Sequence, residues 1–184
     1  SRDEKKHKDK YFEVLKILAE NDVYINGVKH GSENPLIYAI NQGLPDVAEI
    51  FCGKTKDLNF KDVKDNTAMT SAILMRDAKT VRKLIEAKAD VNCKGCDGKS
   101  PLMFAIERYD YNFPASLEIF KMLLDNGADV NAQDKNGVSV LDYAIAKKSA
   151  NMDVIRPIVE KGASDNTIDK TLVKIEKGKY DSLY

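Results

Sequence analysis

The chain is short of most residues that carry chemistry. Among its 184 residues there is no tryptophan, and there are two histidines and three cysteines. Three cysteines are an odd number and too few for a disulfide framework, which fits a reducing compartment. Charge of one sign is also missing. The 29 Lys plus Arg balance the 29 Asp plus Glu, for a formal net charge of zero. A general binder of nucleic acid or of acidic membrane would be strongly basic, so neither partner is expected. No long apolar run is present. The longest stretch without Asp, Glu, Lys or Arg runs from Asn34 to Pro45 and contains Asn, Gln, Gly and two Pro. A spanning helix needs about 20 mostly apolar residues, which excludes one here. Apolar residues still make up 43% of the chain, enough for a core rather than wholesale disorder.

What the chain does have is a repeat. NPLIYAI (Asn34–Ile40), TAMTSAI (Thr67–Ile73), SPLMFAI (Ser100–Ile106) and SVLDYAI (Ser139–Ile145) begin 33, 33 and 39 residues apart. A second marker, an Asn at 26, 59, 92 and 131, recurs with the same 33, 33 and 39 spacing. In each unit that Asn stands eight residues before the first block. Asn34-Pro35 and Ser100-Pro101 place a capping side chain before a first-turn Pro, which starts a helix. Leu36, Ala39 and Ile40 follow at helical spacing, as do Leu102, Ala105 and Ile106. The small Ala lets a neighbouring helix approach closely. A second apolar helix follows, such as Leu117–Leu124 or Thr80–Ile85, and Gly127 and Gly162 supply left-handed caps. A polar turn, for example Asp134–Gly137, closes the unit.

These units resemble ankyrin repeats, the known 33-residue turn-plus-two-helices unit with a T-P-L-H-x-A motif. The resemblance implies an all-α solenoid of helix-turn-helix pairs with β-hairpin-like loops. Carried along the chain it gives one domain over 1–184. Its parts would be an N-terminal half-repeat (12–28), repeats at 29–61, 62–94, 95–133 and 134–168, and a closing helix and tail (169–184). The half-repeat is either a natural cap or the cut end of a longer array. The start at Ser1 with SRDEKKHKDK, without Met, is read as removal of something upstream. The expected location is cytoplasmic, with secretion or periplasmic export after loss of a leader kept open.

Departures from the motif matter. Its His is replaced by Ile37, Thr70, Met103 and Asp142, so the usual bond to the turn must be weakened or replaced. The turn Gly is present as Gly98 and Gly137, but Ser32 and Asp65 stand there in the first two repeats. Pro157 falls inside the last long helix and should bend it or shift its start. Two extra residues within Lys148–Asn151 are plain and polar. Six more residues sit in the third repeat, within Tyr109–Ser116, and bring Tyr109, Tyr111 and Phe113. That loop reads either as a lid over helix ends or as an extra partner contact, since aromatics are frequent hot spots.

Enzyme chemistry finds no footing. His7 and His30 have no carboxylate and nucleophile at a recognisable spacing. Gly53-Lys54-Thr55 lacks the first Gly of a phosphate loop, with Ala48 in its place, and it ends a helix rather than starting one. Cys93-Lys94-Gly95-Cys96 has no second Cys/His pair for zinc. Ordinary turn substitution is the preferred reading of that pair, and a reversible hairpin disulfide the alternative. Cys52 aligns with Ile85 and Leu124 and is expected to be buried. The strings from Leu84 to Asn92 and from Leu123 to Asn131 resemble ankyrin sites that eukaryotic asparaginyl hydroxylases modify. The preferred reading is structural, with the amide bonding hairpin backbone. No metal and no cofactor are expected.

The resemblance implies binding of another protein on a concave face made of hairpin tips and the inner side of each first helix. The tip positions are His30, Gly31 and Glu33; Val63, Lys64 and Asn66; Cys96, Asp97 and Lys99; and Lys135, Asn136 and Val138. The first-helix positions are Asn41 and Gln42, Leu74 and Met75, Glu107 and Arg108, and Ala146 and Lys147. The second and third rows stand out, because Leu74 and Met75 are apolar where the other repeats are mostly polar. Met75 is expected to be exposed, and Leu74 either exposed or packed on its neighbour. Tyr38, Phe104 and Tyr143 form an aromatic column with Ser71 as its gap, read as packing rather than binding. The chain is expected to act as a monomer. It would serve either as an interaction module or as a targeting or regulatory segment of a larger protein, for example a bacterial host-directed effector, whose catalytic part lies elsewhere.

Overall fold

A computed structural model describes residues 34–147 and 152–163, together with Glu13 and Ile17, which are helical. Apart from Glu13 and Ile17, the expected half-repeat lies outside the described residues, as do the first hairpin with His30, Gly31 and Glu33, the insertion at 148–151 and the closing helix after 168. The chain divides between Asp90 and Val91 into two compact units.

From residue 34 on, the first unit holds two helix pairs, α1 (Pro35–Asn41) with α2 (Pro45–Lys54) and α3 (Ala68–Leu74) with α4 (Ala78–Glu86). Each helix begins where its sequence supplies a cap or a proline. Asn34 Oδ1 accepts from the Leu36 N–H at 2.8 Å, and Pro35 follows it. Thr67 and Thr70 cap reciprocally. The Thr70 N–H reaches Thr67 Oγ1 at 3.1 Å, and the Thr67 N–H reaches Thr70 Oγ1 at 2.8 Å. Asp77 accepts from the Thr80 N–H at 3.0 Å to start α4. The first helices pack on each other and so do the second helices. Ala39 and Ala72, both fully buried, keep those first helices close.

The second unit repeats the scheme with α5 (Pro101–Arg108) and α6 (Pro114–Asp125), then α7 (Val140–Ala146) and α8 (Met152–Glu160). Ser139 and Asp142 form another reciprocal cap. Thr70 and Asp142 thus fill the motif position left without His, each by closing a capping box. In α6 the residues Ile119, Phe120, Leu123 and Leu124 form one buried stripe. Each such side chain contributes about 1.5–3 kcal/mol on burial. Ala105 and Ala144 are buried between helices, as Ala39 and Ala72 are. Pro157 sits inside α8, between the buried Val154 and Ile158. Among the described residues there is no strand, only an isolated bridge between Gln133 and Ser139. No described helix is long and apolar enough to cross a membrane.

The turns follow the expected caps, with additions. Gly127 and Gly162 adopt φ of +84° and +90° after α6 and α8. After α3 and α4 the same left-handed role falls to Arg76 and Lys88, and at two hairpin tips it falls to Asp65 and Asp97. The spaced asparagines tie one pair to the next within each unit. Asn59 Oδ1 accepts from the Asp90 N–H at 2.9 Å. Asn92 takes the Asp129 N–H at 2.8 Å and donates to the Gly127 carbonyl at 3.1 Å. Asn131 donates to the Gly162 carbonyl at 3.2 Å. Asn92 and Asn131 therefore bond backbone, as a structural role requires, and these bonds reach the backbone that follows the next second helix.

Candidate functional site

In the first unit the tip from Asp62 to Asn66 is organised by one carboxylate. Asp62 Oδ1 accepts from the Lys64 and Asn66 N–H groups at 2.8 Å each, and its other oxygen accepts from the Asn66 amide at 3.2 Å. The Asp62 N–H also reaches the Asn66 carbonyl at 2.9 Å. With the turn held this way, Val63 projects outward at 72% exposure and Lys64 beside it is exposed. At the far end of α3, Met75 is the C-cap and is 48% exposed, while Leu74 is half-buried. Met75 therefore presents a flexible apolar side chain from a fixed backbone.

In the second unit two tips meet. The Lys135 N–H donates to the Asp97 carbonyl at 2.9 Å, and the two side chains form an ion pair. That pair holds the Asp97 carboxyl below its ordinary range and the Lys135 ammonium above its own. Lys94 reaches across to the Gln133 carbonyl at 2.8 Å. Asp134 plays the part of Asp62, accepting from Asn136 at 2.8 Å and Val138 at 3.0 Å. Its second oxygen accepts from the Tyr143 hydroxyl at 2.9 Å, a side-chain bond to the turn that the missing motif His does not supply here. Burial alone would raise the Asp134 carboxyl, but the Val138 and Asn136 N–H groups and the Tyr143 hydroxyl hold it below the usual range.

Behind these tips lies a cluster that the sequence reading did not assemble. Lys99 Nζ sits 2.6 Å from Glu107 Oε1 and lies over the Phe104 and Tyr143 rings at 5.8 and 5.4 Å. A half-buried ammonium between two aromatic faces and a carboxylate is electrostatically satisfied. It bridges α5 and α7. Lys147 adds a bond to the Glu107 carbonyl. Arg108, Lys135 and Asn136 are exposed, and Val138 is half-buried. In the inserted loop Tyr109 is only 3% exposed and drops out as a contact, whereas Tyr111 and Phe113 stand 71% and 50% exposed. Asp110 Oδ1 shapes that loop by accepting from the Asn112 N–H at 3.0 Å.

Among the described residues no group of three His, Cys, Asp or Glu could hold a metal. Gly53 and Lys54 lie in the last turn of α2 and Thr55 follows it. Cys52 is buried, and burial, with Glu49 and Asp77 adding to it, pushes its thiol to about 12. Such a thiol is a packing group and not a nucleophile.

Helix pairs stacked first on first, joined by tips that spend their polar groups on holding backbone, define a helical repeat protein of the interaction-module class. The chain belongs to the ankyrin repeat family, whose model of three-copy ankyrin repeats matches residues 6–95 and 75–169. It is similar to Ankyrin repeat and SOCS box protein 6 of Homo sapiens, 34% identical over 156 residues, which cover 82% of this chain and 36% of that protein. It also resembles a putative ankyrin repeat protein of Acanthamoeba polyphaga mimivirus, 25% identical over 166 residues, or 86% of this chain and 21% of that one. The chain thus spans about a third or less of these relatives' length. A crystal structure of an ankyrin repeat domain from Acinetobacter baumannii superposes with a TM-score of 0.72 at 25% identity, covering 83% of this chain and 76% of that domain.

Proposed function

We propose that the chain is a non-catalytic module that binds another protein along the concave side typical of such arrays, through its hairpin tips and the ends of its first helices. The repeat boundaries are those set out from the sequence. The observation that carries this reading is the contrast at the tips and the α3 end. The backbone there is held, by Asp62 and Asp134 at the tips and by the Met75, Arg76 and Asp77 N–H groups on α3 carbonyls, while Val63, Met75, Lys135 and Asn136 are exposed. Rigid presentation of this kind lowers the ordering cost of binding. The partner is a protein rather than nucleic acid or membrane, because the chain's charges balance. A monomer suffices for this mode of binding.

A second reading is favoured by the share of the relatives that the chain spans. It would then be the targeting or regulatory segment of a longer protein, a host-directed effector among the options, with any catalysis outside these residues. A reading frame extending well beyond 1–184 supports that second reading, and a short one the first. The test of the face is an affinity capture with wild type and a Met75→Asp, Arg108→Glu double variant. Loss of the captured proteins in the variant is expected. Equal capture of the same proteins places the binding surface elsewhere.

A further inference from the structure

Two of the three described hairpin tips share a device that the third lacks. Asp62 and Asp134 each accept two backbone N–H groups across their own turn. The repeat spacings of 33 and 39 put Gly95 in that place. The backbone bond of the turn survives there, Gly95 N–H to the Lys99 carbonyl at 2.9 Å, as in the Asp62 and Asp134 turns. With glycine at that place, no carboxylate stands there to accept across the turn. The same tip carries Cys93 and Cys96, both partly exposed thiols, where the second repeat has Phe60 and Val63 and the fourth has Ala132 and Lys135.

We propose that Cys93 and Cys96 are a redox-responsive pair whose oxidation to an intramolecular disulfide reshapes this tip. Gly95 between them is extended, with φ −93° and ψ −153°. Extended residues advance about 3.3 Å each, whereas a disulfide needs Cα atoms within roughly 7 Å. Extension at Gly95 draws the two ends apart, so ring closure is expected to turn the chain there, and glycine is the residue that bends at least cost. The bend strains the Gly95–Lys99 bond and, through Asp97, the bond from the Lys135 N–H to the Asp97 carbonyl. At the other two tips an aspartate would resist the same movement.

The chemistry balances with glutathione disulfide as oxidant. One cysteine thiolate attacks it to give a mixed disulfide and releases one glutathione. The second cysteine then displaces the other glutathione and closes the Cys93–Cys96 bond. Two protons and two electrons leave the protein, and one oxidant becomes two thiols. Cys52 stays out of the exchange because it is buried. The effect on binding rests on the proposed function, since Cys96, Asp97 and Lys99 belong to the proposed face. The redox chemistry of the tip does not rest on it, and the test needs no partner.

The full chain is equilibrated in reduced and oxidised glutathione at neutral pH, then read by thiol count, intact mass and backbone amide spectra. Expected is the loss of two reactive thiols and two hydrogens, with the Gly95, Lys99 and Lys135 amides displaced and those of Lys64 and Asn66 unmoved. Cys93→Ser should show neither change. Gly95→Asp, which restores the carboxylate across the turn, should shift the midpoint about tenfold toward the oxidant. Thiols that stay reactive, mixed adducts without ring closure, or a disulfide that leaves the Lys135 amide in place would each overturn the proposal.

Discussion

Ala105→Leu probes the stacking directly. Ala105 is 2% exposed on α5, which packs against both α6 and α7. Leucine adds three carbons to a contact that holds only a methyl group. Because Ala105 is buried, the added carbons must displace neighbouring helices or side chains. Such overpacking costs about 1–3 kcal/mol. For a chain of this length each kcal/mol moves the melting temperature by roughly 2–4 °C, so a fall of about 2–12 °C is expected. Ala146→Leu on α7 serves as the control, because Ala146 is exposed and the change should stay within about 0.5 kcal/mol. Scanning calorimetry or thermal circular dichroism on the two variants measures the difference. Equal melting points for Ala105→Leu and wild type would refute the helix register.

Thr67→Ala removes the reciprocal cap of α3 and should cost about 0.5–2 kcal/mol in urea unfolding, with Thr67→Ser largely restoring it. Gly98→Ala should destabilise more than Gly137→Ala. Both residues have positive φ, but an added Cβ at Gly98 meets the Lys135 nitrogen at 3.0 Å, while at Gly137 it meets nothing. Lys88 takes φ +68° without being glycine, so Lys88→Gly should raise stability by about 0.5–1 kcal/mol once the loss of unfolded-state constraint is set against the relief. The Asp134 carboxyl is held below its ordinary range, so its contribution is full above the unfolded value of about 4 and is lost as pH falls through the folded one. Urea midpoints measured between about pH 6 and pH 2 should therefore fall less steeply in Asp134→Asn than in wild type. An unchanged slope counts against the carboxylate's role at the tip.

Much of the fold is legible in residue spacing because helix starts are chemically specific. Asn34, Thr67, Ser100 and Ser139 announce the first helices by side-chain caps, and Gly127 and Gly162 end the second ones. The left-handed turns at Arg76 and Lys88 carry no such mark, since packing on both sides imposes them on residues that do not prefer them. The replacement for the motif His was only half legible. Thr70 and Asp142 are ordinary capping-box partners, whereas Tyr143 reaches Asp134 only once the turn is folded back over α7. Asp62 and Asp134 stand at the same place in two repeats and did carry a usable signal, a carboxylate with turn N–H groups two and four residues on. The Lys99 cluster joins Lys99, Phe104 and Glu107 to Tyr143 of the next repeat, a meeting that no local pattern marks. In the inserted loop, Tyr109 goes inward while Tyr111 and Phe113 do not, a difference that residue type alone does not mark.

The central claim is that hairpin tips and first-helix ends bind a protein partner. The most direct measurement is amide chemical-shift mapping of the labelled chain titrated with a captured partner. Binding through these positions should perturb Val63, Lys64, Leu74 and Met75 in the first unit, and Asp97, Glu107, Arg108 and Lys135 in the second. Perturbations confined to the second helices α2, α4 and α6, with those positions silent, would contradict it.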